Sequence, residues 1–159
     1  MPSNLHHAQE AIRRELGPET FSGLLGESLA HQSGGQVVFV STVEDAVRSA
    51  DLAIDCVPDE LESKLEILWL LDRMAPPRTV FATPTTQLEI ADLAACTYRP
   101  EKCMAIAVSP AALAGLAATP GAAIALRAAP ATTHETVALV EQFWRRLGFA
   151  PATKRETAL

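Results

Sequence analysis

Short apolar runs alternate with helical patterns from residue 36 onward, and this alternation constrains the fold more than any other feature of the chain. The run Leu52–Val57 is continuous rather than alternating, which is typical of a strand buried in a parallel sheet. Strands separated by helices predict βαβ units, and therefore an α/β fold with a mostly parallel sheet and helices on both faces. The predicted strands are Gln36–Ser41, Leu52–Val57, Thr79–Ala82, Lys102–Val108, Ala122–Ala128 and Phe149–Lys154.

Capping residues and helix-ending residues delimit the helices between these strands. The first two predicted helices are Val43–Ser49, capped by Thr42, and Asp59–Met74, which begins with the capping pair Asp59 and Glu62. The third begins with the capping pair Thr86 and Glu89 and runs through Ala95. The fourth begins with the capping pair Thr132 and Glu135 and runs to Leu147, where Gly148 ends it. The second of these ends at Pro76-Pro77, and its buried stripe is expected to be Leu61, Leu65, Leu68 and Trp69. Trp69 and Trp144 are both interpreted as core residues, and Ser109–Gly121 as a loop.

The first 35 residues form a helical segment ahead of the βα units 36–155, and we expect one domain over residues 1–159. A first helix over His7–Leu16 ends at Gly17-Pro18. Thr20 is expected to cap a second helix. Its apolar stripe comprises Phe21, Leu24, Leu25 and Leu29.

Charge and composition exclude several classes of protein. The formal net charge is −6 and no basic stripe is present, which argues against a nucleic-acid partner. No apolar run reaches the length of a membrane span, so we expect no membrane association. Three cysteines without a Cys-x-x-Cys spacing, and no apolar leader, predict a cytoplasmic setting. Cys56 is expected in the core, Cys96 and Cys103 as inert thiols. The four histidines have no metal-ligand spacing, so no metal is expected.

Four blocks of residues carry a resemblance to one enzyme family. The run Ala50–Lys64 resembles the pattern A-D-L-V-I-E-A-V-x-E-x-x-x-x-K of the 3-hydroxyacyl-CoA dehydrogenase NAD-binding domain, and Phe81–Ile90 is similar to its A-S-N-T-S-S-L-x-I. Arg99–Lys102 with Ala105–Pro110 is similar to R-P-E-x-x-x-G-x-H-F-x-N-P. His134–Val137, followed by Leu147-Gly148 and Pro151, resembles the last helix and strand. From about Thr42 onward the resemblance implies a partial Rossmann-like fold.

The departures from the family concern its chemistry. The sequence contains no Gly-x-Gly-x-x-Gly, the turn that brings backbone N–H groups to a pyrophosphate. By the resemblance, the catalytic histidine falls near Ala107 and its partner glutamate near Ala125 or Ala118. The asparagines of the two central blocks fall at Pro84 and Ser109.

Three positions keep the family's residue types and are candidate cofactor-binding residues: Asp59, Lys64 and Thr86. Each also has a purely structural interpretation. Thr86 is a helix N-cap with Glu89 three residues later, Asp59 complements a helix dipole, and Lys64 pairs with Glu60 one turn earlier. We favour the cap for Thr86 and leave the two readings of Asp59 and Lys64 open.

The resemblance and its departures together favour a catalytically silent homologue of the family's NAD-binding domain, acting as a binding or assembly module. No cofactor is expected unless the family role is retained, in which case it is NAD. The alternative is an NAD-dependent 3-hydroxyacyl-CoA oxidoreductase of fatty-acid metabolism completed by another chain, and a third is a domain that keeps only acyl-CoA or nucleotide affinity. An unpaired edge at Leu52–Val57, unless Gln36–Ser41 or the Phe21 stripe covers it, predicts a homo-oligomer (most simply a dimer) or a partner chain.

Overall fold

The computed structural model describes residues 38–114 and 121–157, together with His7, Glu10, Ala11 and Arg14. The contacts within the chain group it into two compact units, Met1–Ala46 and Val47–Leu159. We describe each unit by itself. The predicted second helix, with its stripe from Phe21 to Leu29, lies outside the described residues.

In the first unit the described early positions are helical, as the predicted helix His7–Leu16 requires. The predicted strand Gln36–Ser41 is wrong over the residues that are described, since 38–41 form no strand. β-propensity reflects packing on a half-buried pleated surface. Val38 is 67% exposed, so the β-branched run alone does not specify a strand here. Thr42 does cap the next helix, because its hydroxyl accepts a hydrogen bond from the Asp45 N–H at 3.1 Å.

The second unit is built on a five-stranded sheet in the order β1-β2-β3-β4-β5. Strands β1, β2 and β3 are parallel, β4 is antiparallel to β3, and β5 is parallel to β4. The mostly parallel α/β sheet expected from the sequence is confirmed. The strands are β1 (Leu52–Ile54), β2 (Val80–Pro84), β3 (Cys103–Ile106), β4 (Ala123–Ala128) and β5 (Ala150–Arg155).

The helices connect these strands, and most begin or end within a few residues of their predicted bounds. They are α1 (Val43–Val47), α2 (Leu61–Met74), α3 (Ile90–Ala94), α4 (Pro110–Ala114) and α5 (His134–Arg146), with a 3₁₀ turn at Pro100–Lys102. The predicted loop Ser109–Gly121 therefore contains a short helix, which Ser109 caps through the Ala112 N–H at 3.1 Å. If β3 and β4 were parallel, a long crossover connection, usually a helix, would have to join them. In the described part of the connection the helix α4 has five residues, and β4 runs antiparallel to β3.

The hydrophobic core lies where α5 packs on the central strands. Its fully or nearly fully buried members are Val80, Ala82, Met104, Ile106, Ile124, Leu126, Ala128, Val140 and Trp144. The Trp144 indole meets the rings of Phe143 and Phe149 edge-on at 5.3 and 5.4 Å between centroids. Trp144 is therefore a core residue as predicted. Trp69 is not, because 49% of it is exposed.

The predicted buried stripe of helix α2 is right for Leu68 and wrong for Leu61 and Trp69, which are each 49% exposed. The buried residues are Lys64, Leu68, Leu71 and Asp72. Two of the four are charged and carry ion pairs: Lys64 contacts Asp55, and Asp72 contacts Arg99 at 2.7 Å. A buried charge must keep its partner. These two pairs fix the rotation of the helix, which the apolar spacing alone does not show.

Three of the predicted helix caps are wrong in detail. Helix α2 begins at Leu61 with no side-chain cap bond at Glu60, and α3 begins at Ile90 with none at Glu89. Helix α5 is capped by Thr133, whose hydroxyl accepts from the Thr136 N–H at 3.2 Å. The expected cap Thr132 instead donates its hydroxyl to the Cys103 carbonyl at 2.9 Å. Threonine hydroxyls and carboxylates can hydrogen-bond backbone groups other than those of the nearest helix. Here Thr132 and Asp59 bond to backbone groups of Cys103 and Thr86, which are distant in the sequence.

Candidate functional site

The carboxyl ends of β1, β2 and β3 meet at one edge of the sheet, because these strands are parallel neighbours. The Thr85 N–H donates to the Ile106 carbonyl at 3.0 Å and joins the segments that follow β2 and β3. In open α/β sheets, ligands bind in the crevice outside this edge. The residues that follow each of these strands therefore line the expected ligand crevice.

Two of the predicted cofactor-binding residues meet at this edge. The Asp59 carboxylate accepts hydrogen bonds from the Thr86 N–H at 2.9 Å and from the Thr86 hydroxyl at 3.3 Å. Burial would raise the pKa of Asp59, but hydrogen bonds from Thr85 and Thr86 and the charge of Lys64 outweigh it and lower that pKa. Asp59 is thus a carboxylate that ties the β1 loop to the β2 loop. Its other oxygen, Oδ1, is buried without a hydrogen-bond partner.

The third predicted residue, Lys64, is fully buried and lies in an ion pair. Its Nζ is 2.6 Å from Asp55 Oδ1, and the expected side-chain pairing with Glu60 is wrong. Glu60 instead accepts the Lys64 backbone N–H through its carbonyl. The second Asp55 oxygen, Oδ2, is buried with no partner. Asp55 is a functional-site candidate that the sequence reasoning missed, although an acidic residue inside an apolar strand was the available signal.

Alanines occupy the positions that the resemblance assigns to catalytic groups. The Ala107 N–H donates to the Ala125 carbonyl at 2.9 Å, so the two positions are cross-strand neighbours. The alternative position, Ala118, lies outside the described residues. Pro84 ends the fully buried β2 and has no side-chain donor, and the Ser109 hydroxyl caps α4. Both positions carry only a methyl group, which can neither donate nor accept a proton.

The three thiols differ in exposure and in acidity. Cys56 follows β1 and is exposed, so its predicted place in the core is wrong. Strand β1 ends at Ile54, two residues before it. Partial desolvation, together with the nearby Asp55 carboxylate, raises the pKa of Cys56, and desolvation also raises that of Cys96. Burial raises the pKa of Cys103 to about 12. The inertness predicted for Cys96 and Cys103 agrees with these directions.

Thiol labelling tests the expected difference in reactivity between Cys56 and Cys103. Only the thiolate reacts, and a pKa of about 12 leaves about one Cys103 in 10⁴ ionised at pH 8. We expect a disulfide reagent to modify exposed Cys56 at least about 100-fold faster than Cys103 in the native chain, as followed by mass spectrometry. All three should react at similar rates in denaturant, and equal native rates would contradict the assignment.

The described residues supply only part of what a dinucleotide needs. The sequence contains no Gly-x-Gly-x-x-Gly turn. The glycines among the described residues are Gly121 and Gly148, which contact each other at the starts of β4 and β5. The Lys64 ammonium is already neutralised by Asp55. These residues do not fit a pyrophosphate, while the unpartnered oxygens of Asp55 and Asp59 remain as hydrogen-bond acceptors.

A second polar cluster lies where the end of β5 reaches α3. The Glu156 carboxylate accepts hydrogen bonds from the Ile90 and Ala91 N–H groups, both at 3.2 Å, and is 3.1 Å from Arg127. Arg127 also donates to the Thr85 and Leu88 carbonyls. Glu156 therefore caps α3 in place of Thr86, the cap that the sequence predicted, because its carboxylate accepts the first N–H groups of the helix. The cluster borders a pocket of about 560 Å³.

Replacing Glu156 tests this cap. Glu156→Ala leaves two helix N–H groups without their acceptor and Arg127 without the carboxylate it pairs with, and we expect the free energy of unfolding to fall by about 1–2 kcal/mol. Urea denaturation measures it. The control is Glu135→Ala, an exposed glutamate in the first turn of α5, for which about 0.5 kcal/mol is expected. Equal losses for the two variants would show that Glu156 is not a cap.

The sheet order and the parallel carboxyl edge define a Rossmann-like α/β domain. A family model described as "3-hydroxyacyl-CoA dehydrogenase, NAD binding domain" matches residues 1–157. The chain belongs to this family. The match includes the N-terminal residues, so the likeness extends further than the start near Thr42 that the motifs indicated.

Relatives and solved structures agree with the family. The chain is 29% identical over 91 residues to a probable 3-hydroxybutyryl-CoA dehydrogenase of Bacillus subtilis, covering 57% of this chain and 31% of that protein. It is 27% identical over 139 residues to 5-formyl-3-hydroxy-2-methylpyridine 4-carboxylate 5-dehydrogenase of Mesorhizobium japonicum, covering 87% and 43%. The structure of Escherichia coli 3-hydroxybutyryl-CoA dehydrogenase superposes with a TM-score of 0.73 at 22% identity, over 96% of this chain and 31% of that one, and shows the fold. The chain thus spans less than half the length of these relatives.

The described residues contain neither a membrane-spanning helix nor a metal-binding cluster. None of their helices combines the length and the apolar character needed to cross a bilayer. Within the same residues, no three histidine, cysteine or acidic side chains are grouped so that they could hold a metal ion.

Proposed function

We propose that this chain is a catalytically silent homologue of the 3-hydroxyacyl-CoA dehydrogenase NAD-binding domain, and that it acts as a binding or assembly module. The observation that carries the proposal is the Ala107–Ala125 pair. These two residues stand side by side where the resemblance expects a base and the group that orients it. Neither side chain can accept a proton.

The chemistry of the family explains why this pair is decisive. Oxidation of a 3-hydroxyacyl thioester needs a base to take the hydroxyl proton while hydride leaves the same carbon. Histidine suits that step because its pKa lies near neutral pH. The sequence has no histidine between His31 and His134, and His134 is an exposed residue that begins α5. None of the residues described at the carboxyl edge is a histidine.

A second candidate function rests on the acidic residues that follow β1. Asp55 Oδ2 and Asp59 Oδ1 are buried acceptors without donors, and buried polar atoms normally have a partner. A ligand with hydroxyl donors, such as the ribose of a nucleotide or of an acyl-CoA, would satisfy them. This supports a domain that keeps ligand affinity, or an NAD-dependent 3-hydroxyacyl-CoA oxidoreductase completed by another chain. Under either candidate we place the chain in a reducing, cytoplasmic compartment, because its three cysteines are free thiols.

A turnover measurement separates silence from catalysis. The purified chain is incubated with NAD and 3-hydroxybutyryl-CoA, and NADH formation is followed by absorbance against an active 3-hydroxybutyryl-CoA dehydrogenase. We expect the purified chain to form NADH no faster than a reaction mixture that contains no protein. Turnover comparable with that of the active enzyme, lost on substitution of a residue of this chain, would overturn the proposal.

A further inference from the structure

The pocket beside the start of α3 is a second cavity with chemistry of its own. It shares no lining residue with the carboxyl-edge site of Asp55, Asp59 and Thr86. Its volume of about 560 Å³ lies in the range of small-molecule sites. We call it the α3 pocket, and its charged lining residues are three acids and three bases: Glu89, Asp92, Glu156, Arg127, Lys154 and Arg155.

Four of these six side chains have partners within the chain. Glu156 accepts hydrogen bonds from the first two N–H groups of α3 and pairs with Arg127. Arg127 also lies 3.9 Å from the Glu89 carboxylate. The Arg155 guanidinium donates to three backbone carbonyls ahead of α5. These four side chains are therefore held in place by the protein itself.

The other two charges of the α3 pocket have no partner on the protein. Within the described part of the chain, neither the Lys154 ammonium nor the Asp92 carboxylate takes part in a hydrogen bond or an ion pair, and the two do not pair with each other. Lys154 lies on β5 beside Arg127 of β4, and Asp92 lies in the first turn of α3. The pocket thus presents a positive charge from the sheet and a negative charge from the helix.

We propose that the α3 pocket binds a small zwitterion, a molecule that carries both a carboxylate and an ammonium group. The carboxylate binds beside Lys154, and the ammonium group binds beside Asp92. Hydrogen bonds between charged groups are roughly twice as strong as those between neutral ones. Because both charges belong to one ligand, the second contact forms at a high effective concentration once the first is made.

The charge balance of the pocket explains why the ligand carries both signs. An anion is attracted by Lys154 but repelled by Asp92, and the reverse holds for a cation. Arg127 does not change this balance, because Glu156 and two backbone carbonyls already occupy its guanidinium. A zwitterion satisfies both unpaired groups. This inference goes beyond the proposed function, since it names a ligand class for a site away from the carboxyl edge.

Titration with probes of one or two charges tests the ligand class. Glycine, β-alanine and γ-aminobutyrate carry the two charges at increasing separation, whereas butyrate and butylammonium each carry one. Nuclear magnetic resonance of the isotope-labelled chain follows binding through the amide signals of Asp92 and Lys154. At least one zwitterion should bind at least about tenfold more tightly than either singly charged probe. Equal affinities for the two kinds of probe, or no zwitterion binding up to about 50 mM, would overturn the proposal.

Variants that remove one charge test the location of the site. Lys154→Gln and Asp92→Asn should each raise the Kd of the tightest zwitterion at least about tenfold. Lys102→Gln and Glu135→Gln remove the same charges outside the α3 pocket and should leave that Kd unchanged. Circular dichroism shows whether each variant is folded. Equal effects inside and outside the pocket would overturn the assignment. Because turnover is not measured, this test can fail while the chain proves catalytically silent, and the reverse also holds.

Discussion

Calorimetric titration of the purified chain with NADH should give a Kd no tighter than about 1 mM, a free energy of about −4 kcal/mol. Tight dinucleotide binding relies on a glycine turn whose N–H groups and helix N-terminus surround the pyrophosphate. The sequence of this chain has no Gly-x-Gly-x-x-Gly, and the buried Lys64 of α2 is neutralised by Asp55. Asp59 and Thr86 are already hydrogen-bonded to each other.

A titration of an active 3-hydroxybutyryl-CoA dehydrogenase under the same conditions is the control. Repeating the experiment with acetoacetyl-CoA separates nucleotide affinity from acyl-CoA affinity. A Kd for NADH in the low micromolar range would contradict the expected result. It would show that other parts of the chain have built a pyrophosphate site.

Asp55→Ala should lower the free energy of unfolding by about 3–5 kcal/mol, since it leaves the fully buried Lys64 ammonium without a counter-ion. Lys64→Met should cost a similar amount, because it leaves the Asp55 carboxylate buried and unpaired. The double variant removes both charges, and we expect it to be more stable than either single variant. Urea denaturation of the three proteins gives the coupling free energy.

The exposed pair Asp51–Arg78 provides the matched control. Its atoms are 2.8 Å apart, but its side chains are 76% and 58% exposed. Asp51→Ala should therefore cost at most about 1 kcal/mol. If Asp55→Ala and Asp51→Ala lowered the free energy of unfolding by similar amounts, the greater cost expected for breaking the buried Asp55–Lys64 pair would be contradicted.

The sequence predicts the sheet well because its strands and helices are encoded locally. Continuous apolar runs predicted β1 to β5 in order, and Gly148, with φ +88°, ends α5 where the pattern placed it. The run at Gln36–Ser41 has the same local signal, yet 38–41 form no strand. A strand depends on its neighbours as well as on its own residues, and one sequence does not show them.

The candidate site was predictable only in part, for a related reason. The motifs selected Asp59, Lys64 and Thr86, and the first and last of these do meet. The contacts that fix them link residues far apart in the sequence, as Arg127 and Glu156 show at α3. Capping patterns describe neighbours within a few residues. They therefore assigned the start of α3 to Thr86 rather than to a glutamate 66 residues beyond Ile90.

Helix α2 shows how ion pairs override apolar spacing. Leu68 of the predicted stripe is buried, but Lys64 and Asp72 share the buried face with it because their partners Asp55 and Arg99 lie there. Leu61 and Trp69 of the same stripe are each 49% exposed.

The measurement that tests catalytic silence most directly is the activity of a chimera. Residues 47–157 replace the matching segment of an active 3-hydroxybutyryl-CoA dehydrogenase, which then supplies the glycine turn and the remainder of the enzyme. A matched chimera keeps the enzyme's own segment in place of residues 103–128, and thus its own base and orienting acid. Thermal denaturation and NADH binding show that both proteins are folded.

We predict that the first chimera turns over 3-hydroxybutyryl-CoA at least about 10²- to 10⁴-fold more slowly than the second, the range expected for loss of a general base. Equal turnover of the two folded chimeras would contradict the account. It would show that residues of this chain perform the proton transfer that Ala107 and Ala125 cannot.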